Sequence, residues 1–269
     1  MWLIRVLFLM SLTLTVLADS SYELRLSRQL AEEQASADAY WLKSGSAQFL
    51  ALYRQQQGSQ VRGAVILLHG MGAHPDWPDV IQPLRESLPE LGWATLSLQM
   101  PVLSPAEPVA DYGRSVDEAA RRIESGFQQL KDWNYSNIVI IGYSFGAALA
   151  ASALSSKDLE DVRAFVAISI QAQPFLNPRL KLLKTLEELD LPVLDIYGSR
   201  DMLEVRNAVH DRRLASRKGN NSAYQQMTIE GADHYYTGVD EVLIKRIQGW
   251  LQKQEMGPKP VQVPEKENL

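Results

Sequence analysis

The chain has 269 residues, 46% hydrophobic and 22% charged, which is enough apolar material for one large core. A formal net charge of −5 and the lack of a long basic stretch exclude nucleic-acid binding as a main role. There is no cysteine, so disulfides and a lipid-bearing cysteine are both excluded, and a thiol-free chain fits export to an oxidising compartment.

The expected elements follow in chain order. Residues 1–18 read as a signal peptide: a short start with Arg5, an apolar run from Val6 to Leu17, and Val16-Leu17-Ala18 ahead of Asp19-Ser20. The run is shorter than the ~20 residues that cross a bilayer, so no stable membrane insertion is expected once it is cleaved; an uncleaved anchor is the alternative. Cleavage after Ala18 takes the net charge from −5 to −6, and the expected destination is the periplasm or outside the cell. Residues 19–37 form a polar leader with a helical pattern (Leu24, Leu26, Leu30, Ala31) packed on the surface. Tyr40–Leu42 and Gln48–Tyr53, around Ser44-Gly45-Ser46, read as an antiparallel hairpin. Gly63–Leu68 is a continuous apolar run of the kind buried on both faces.

Strands and helices then alternate: helix Val80–Leu91, strand Trp93–Leu98, helix Ser115–Leu130, strand Asn137–Ile141, helix Phe145–Leu154 and strand Val162–Ile168. They continue with a short helix Leu180–Leu189, strand Pro192–Tyr197, helix Arg206–Ser216, strand Tyr224–Ile229 and helix Val239–Gln254. Ser115-Val116-Asp117-Glu118 has the form of a capping box. The order predicts an α/β fold, a mainly parallel sheet with helices on both faces, as one domain over residues 38–255. Residues 256–269, opening on Gly257-Pro258-Lys259-Pro260 after Met256, read as a disordered tail. Arg212, Arg213, Arg217 and Lys218 lie near Asp201, Glu204 and Asp211 and read as a solvated helix face.

Gly142-Tyr143-Ser144-Phe145-Gly146 lies between the run Asn137–Ile141 and the alanine-rich stretch Ala147, Ala148, Ala150, Ala151. A serine between a buried strand and a helix, flanked by small residues, is presented as a nucleophile on a strained turn. Such a serine needs a base, a group that orients the base, and donors for the oxyanion. His234, in Gly231-Ala232-Asp233-His234 after the last strand, is the candidate base, and His210 reads as a surface residue within a helix. Asp201 follows its strand through Gly198-Ser199-Arg200 and is the candidate acid; its competitor Asp195 lies within the strand, where a carboxylate is costly without a partner. The oxyanion donors are expected to be the amides of Phe145 and of Met71, in His69-Gly70-Met71-Gly72. His69 reads as a buried residue that hydrogen-bonds this loop, and His74-Pro75-Asp76-Trp77-Pro78 as a rigid turn opening a helix or as pocket rim. His69 and His74 lack the spacing of a His-Glu-x-x-His zinc site, and no metal or other cofactor is expected.

His-Gly-Met-Gly, Gly-Tyr-Ser-Phe-Gly, Gly-Ser-Arg-Asp and Gly-Ala-Asp-His, in this order over residues 60–255, resemble the α/β-hydrolase superfamily. His-Pro-Asp-Trp-Pro with Trp93–Pro101 also resembles a family of exported, poorly characterised proteobacterial α/β-hydrolases. The resemblance implies an eight-stranded, mostly parallel sheet and a Ser144–His234–Asp201 triad. No cap insertion follows the strand ending near Ile170, which favours an open-site esterase over a lidded lipase. The expected activity is carboxylic-ester cleavage on a small-molecule acyl substrate, with amide, peptide or thioester cleavage as alternatives and a non-catalytic exported binding protein as a third. Leu103, Phe175 and Leu176 are candidates for an apolar acyl site.

Overall fold

The computed structural model describes residues 11–34, 38–58, 61–155, 159, 161–171 and 180–254, with side chains from residue 22 onward. The tail expected from residue 256, residues 1–10, Phe175 and Leu176 lie outside the described residues.

Eight strands form one sheet in the order β1-β2-β4-β3-β5-β6-β7-β8. They are β1 (Ala39–Ser44), β2 (Ala47–Arg54), β3 (Gly63–Leu68), β4 (Trp93–Leu98), β5 (Ile138–Tyr143), β6 (Val162–Ile168), β7 (Val193–Gly198) and β8 (Tyr224–Ile229). The hairpin β1-β2 is antiparallel and joins β4 antiparallel, whereas β4-β3-β5-β6-β7-β8 are all parallel. In β3 and β5 every residue is buried, because helices cover both faces. The period of two sorts the side chains: Ala64, Ile66, Leu68, Ile138 and Ile140 pack in one core, and Val65, Leu67, Val139 and Ile141 in the other. Six parallel strands therefore deliver their following loops to one edge, and the chain reverses direction across the sheet beside β3, where ligands bind in open α/β sheets.

The helices are α1 (Ser11–Glu33), α2 (Ile81–Ser87), α3 (Val116–Asp132), α4 (Phe145–Leu154), α5 (Leu182–Glu188), α6 (Leu203–Asn207), α7 (Val209–Lys218) and α8 (Asp240–Lys253). Among the described residues, the connection from β6 to β7 carries α5 and no large cap domain. No helix among the described residues is long and apolar enough to cross a membrane.

Several local expectations are corrected. The single helix over Val80–Leu91 is instead α2 followed by a 3-10 turn at Pro89–Leu91, since Pro89 has no amide to continue the ladder. The helix over Arg206–Ser216 is split into α6 and α7, and at the junction Arg212 donates to the carbonyl of Val205 (2.9 Å). Ser115-Val116-Asp117-Glu118 makes no capping box: Ser115 ends a 3-10 turn in a helical conformation, its hydroxyl donates to the Tyr112 carbonyl (2.7 Å), and Glu118 pairs with Arg121 and Arg122. The leader helix α1 does pack on the body as its pattern suggests: Leu30 is buried with Leu50 and Leu52 of β2.

His74-Pro75-Asp76-Trp77-Pro78 forms a rigid turn ahead of α2. Asp76 is buried and bonds Arg85 of α2, itself 1% exposed (2.7 Å), while Gln34 at the end of α1 donates to its second oxygen (2.6 Å). The Asp76 amide donates to His74 Nδ1 (3.3 Å), the His74 ring meets Trp77 edge-on, and Ser97 of β4 donates to the Pro75 carbonyl (2.7 Å). The motif is thus a clasp between α1, α2 and β4.

Candidate active site

Ser144 stands between β5 and α4 with φ 54° and ψ −117°, a conformation that costs roughly 1–3 kcal/mol in a residue with a Cβ. Its amide donates to the Ile168 carbonyl at the end of β6 (2.8 Å), which helps hold the turn. The turn closes because two flanking positions lack side chains. A Cβ on Gly146 would run into the carbonyl oxygens of Leu68 and His69, and one on Gly142 would lie 2.5 Å from the Ala147 Cα.

Two further loops at the same edge meet Ser144. His234, after β8, has its Nε2 3.1 Å from Ser144 Oγ and its Nδ1 2.7 Å from Asp201 Oδ1. With Asp201 as a carboxylate, the Nδ1–H donates to it, and Nε2 is left free to accept the serine proton. Asp201, after β7, is buried and fully partnered. Oδ1 also accepts from the Met202 amide (2.8 Å), and Oδ2 accepts from the Ser169 hydroxyl and the Gly198 amide (3.3 Å). Burial alone would raise its pKa, but the hydrogen bonds from His234, Ser169 and Met202 outweigh this and hold the carboxyl below its ordinary range. The Tyr143 hydroxyl donates to the His234 carbonyl (3.0 Å), and its ring lies 5.3 Å from the imidazole.

The loop after β3 supplies a third side. A Cβ built on Gly70 would come 3.5 Å from Ser144 Cβ, so this backbone passes directly beside the serine. Met71 is half-buried against the apolar cluster that contains Phe145, the residue after the serine. His69, 1% exposed, fastens the loop: its Nε2 accepts from the Met100 amide (2.9 Å), so its Nδ1–H donates to the Gly70 carbonyl (2.8 Å). Burial lowers its pKa to about 3, so it stays neutral.

The remaining candidates lie elsewhere. His210 is exposed on α7. Asp195 faces away from this cluster into a buried ion pair: Arg212 donates through Nε (2.7 Å) and NH2 (3.1 Å), with Tyr224 (2.6 Å) and Gln226 (2.9 Å) completing its shell. This corrects the reading of the arginine cluster as wholly solvated. Arg213, Arg217 and Lys218 are exposed, but Arg212 is 0% exposed because α7 packs its cation onto the carboxylate in β7.

Two residues at the site carry no motif in the sequence. Ser169 follows β6 with φ 50° and is fully buried; besides donating to Asp201, it lies 2.9 Å from the hydroxyl of Tyr236, itself buried at φ 56°. Only their places gave a signal, a hydroxyl just past a buried strand and a tyrosine two residues after His234.

A family profile described as "Protein of unknown function (DUF3530)" matches residues 17–115 and 106–253. The chain belongs to this family. No curated protein matches it. Among solved structures it is similar to Est1E from Butyrivibrio proteoclasticus at 14% identity, with 81% of this chain and 98% of that one covered and a TM-score of 0.67. It is also similar to an esterase, Pf2001, from Pyrococcus furiosus (19%, 81% and 92% covered, TM-score 0.65) and to a dienelactone hydrolase from Anabaena variabilis (21%, 80% and 96%, TM-score 0.62). The fold is therefore that of the α/β hydrolases.

Proposed function

We propose that this protein is a serine hydrolase that cleaves carboxylic esters through an acyl-enzyme. The observation that carries the reading is the unbroken line from Ser144 through His234 to Asp201, drawn from three separate loops and starting at a serine held at positive φ. The hydrolase and esterase activities named for two of its structural neighbours support the same chemistry.

Ser144 Oγ attacks the ester carbonyl carbon while its proton passes to His234 Nε2. Asp201 keeps the imidazole in the required tautomer and stabilises its positive form. The amides of Met71 and Phe145 hold the oxyanion, each such donor contributing about 2.7–4 kcal/mol. The C–O bond to the alcohol breaks, and the alcohol leaves with the proton from His234. Water, deprotonated by His234, then releases the acid. Met202, Leu203 and Tyr235, exposed beside the acid and base, suit a substrate with apolar portions.

The test is labelling with a fluorophosphonate, which reacts where serine, base and oxyanion site are assembled. The expected result is labelling of the parent and none of Ser144→Ala. A folded parent that stays unlabelled overturns the reading. Esters, thioesters and amides of one acyl group then rank the bond cleaved. The proposal includes export directed by residues 1–18; detection of the mature chain in the cytoplasmic fraction alone would overturn that part.

A further inference from the structure

From Met100 to Leu103 the segment after β4 has no regular structure, yet every backbone amide there is taken by a side chain. The Met100 amide donates to His69 Nε2 (2.9 Å), Pro101 has none, the Val102 amide donates to the Glu23 carboxylate (3.0 Å) and the Leu103 amide to the Tyr112 hydroxyl (3.3 Å). Glu23 comes from α1, seventy-nine positions away in sequence. Its other oxygen lies 2.8 Å from Arg122 of α3, a buried cation that also donates to Glu118 (2.9 Å) and to the Gln99 carbonyl (2.9 Å) and stands over the ring of Phe49. The helix thus reaches the segment with a half-buried carboxylate whose position is set by a buried cation.

Two of the three acceptors also touch the neighbourhood of Ser144. His69 holds the Gly70 carbonyl, and the Tyr112 ring packs edge-on against Phe145 at 5.9 Å. Leu103 and Met71 are both half-buried against the cluster that contains Tyr112 and Phe145. Leu103 is thus linked through Tyr112 to Phe145, the residue after the serine, and the segment is held at its own amide and at that of the residue before it.

We infer that Glu23 is a positioning residue, through which the N-terminal helix fixes Leu103 as the wall that receives an apolar acyl chain. This rests on the esterase reading for its kinetic consequence, although the pinning itself does not. With the wall fixed, kcat/KM rises with acyl length, by about fourfold for each methylene in contact. Without the carboxylate, Val102 loses its acceptor and Leu103 is held by Tyr112 alone.

The experiment compares the full chain with Glu23→Ala and Leu103→Ala, using p-nitrophenyl acetate, butyrate and hexanoate and amide hydrogen exchange over residues 99–104. Glu23→Ala is expected to speed exchange in that segment and to lose about fourfold in kcat/KM for each methylene that loses contact, with the acetate changed less than about twofold. Leu103→Ala is expected to flatten the same chain-length series. A folded Glu23→Ala with parental exchange and a parental series overturns the inference. Should that variant fail to fold, Glu23→Gln, which keeps an acceptor for the Val102 amide but loses the charge that Arg122 holds in place, is expected to shift both readouts in the same direction by less, and a folded Glu23→Gln with parental values of both overturns the inference. A parent that neither labels with fluorophosphonate nor cleaves these esters overturns the esterase reading instead, and the exchange comparison alone then decides the pinning.

Discussion

Two buried carboxylates stand six residues apart, Asp195 within β7 and Asp201 just beyond it, and both are fully hydrogen-bonded. Their partners separate them. Asp195 faces a guanidinium, charged at any pH the protein meets, plus a phenol and an amide, so the arrangement has one state. Asp201 faces an imidazole, which changes charge, and a serine hydroxyl, so its pairing strengthens when the ring takes up a proton. Burial alone does not separate the two acids; the role proposed for Asp201 rests on a partner able to change protonation.

Exchanging the readouts would break this contrast most severely. Asp201→Asn is expected to lower kcat by about 10⁴-fold with little loss of stability, because the geometry survives and the tautomer does not. Steady-state kinetics beside a urea titration checks both halves. Asp195→Asn is expected to do the reverse. It leaves Arg212 buried without its counter-charge, at about 3–5 kcal/mol in urea unfolding, with unchanged kcat per folded molecule. Replacing both, as Asp195→Leu with Arg212→Met, is expected to recover most of that loss, since two buried charges go together.

His69 sharpens the contrast as a third buried ionisable group held in one state. Its folded pKa of about 3 lies below the unfolded value, so the unfolded chain binds the extra proton first. Its contribution is present above about pH 6.5 and falls away as pH drops toward 3, by up to about 1.4 kcal/mol per unit. Urea unfolding between pH 7 and pH 4 is expected to show a shallower slope for His69→Gln than for the parent. The smallest effect is expected at Ser169. Ser169→Ala keeps the charge on Asp201 but removes one donor, and about a tenfold loss of kcat is expected, with acid unfolding shifted to higher pH as the carboxyl pKa returns toward its ordinary value. An unchanged acid-unfolding midpoint would mean that Ser169 does not help hold the carboxylate.

The sheet was legible because β3 and β5 are continuous apolar runs, the pattern that burial on both faces imposes. The turn at Ser144 was legible because strand, small residues and helix meet within a few positions. Arg212 was misread for a physical reason: charge pattern along a helix says nothing about which face meets the sheet. The informative residue was Asp195, whose place inside a strand already required a partner. Ser115 looked like a helix cap, but the preceding 3-10 turn puts it in a helical conformation with its hydroxyl turned back to Tyr112. Ser169 and Tyr236 depend on two loops meeting at positive φ, a property of the assembled edge and not of either segment.

The N-terminal helix is fastened at two points, through Glu23 to Arg122 and Val102 and through Gln34 to Asp76 and Arg85. Anything joined to the chain ahead of Glu23 is thereby coupled to the body by a braced rod and not by a loose strand. On a bead, an electrode or a lipid surface, such a graft would present every copy in one orientation, with the edge that carries Ser144 at a set angle to the support.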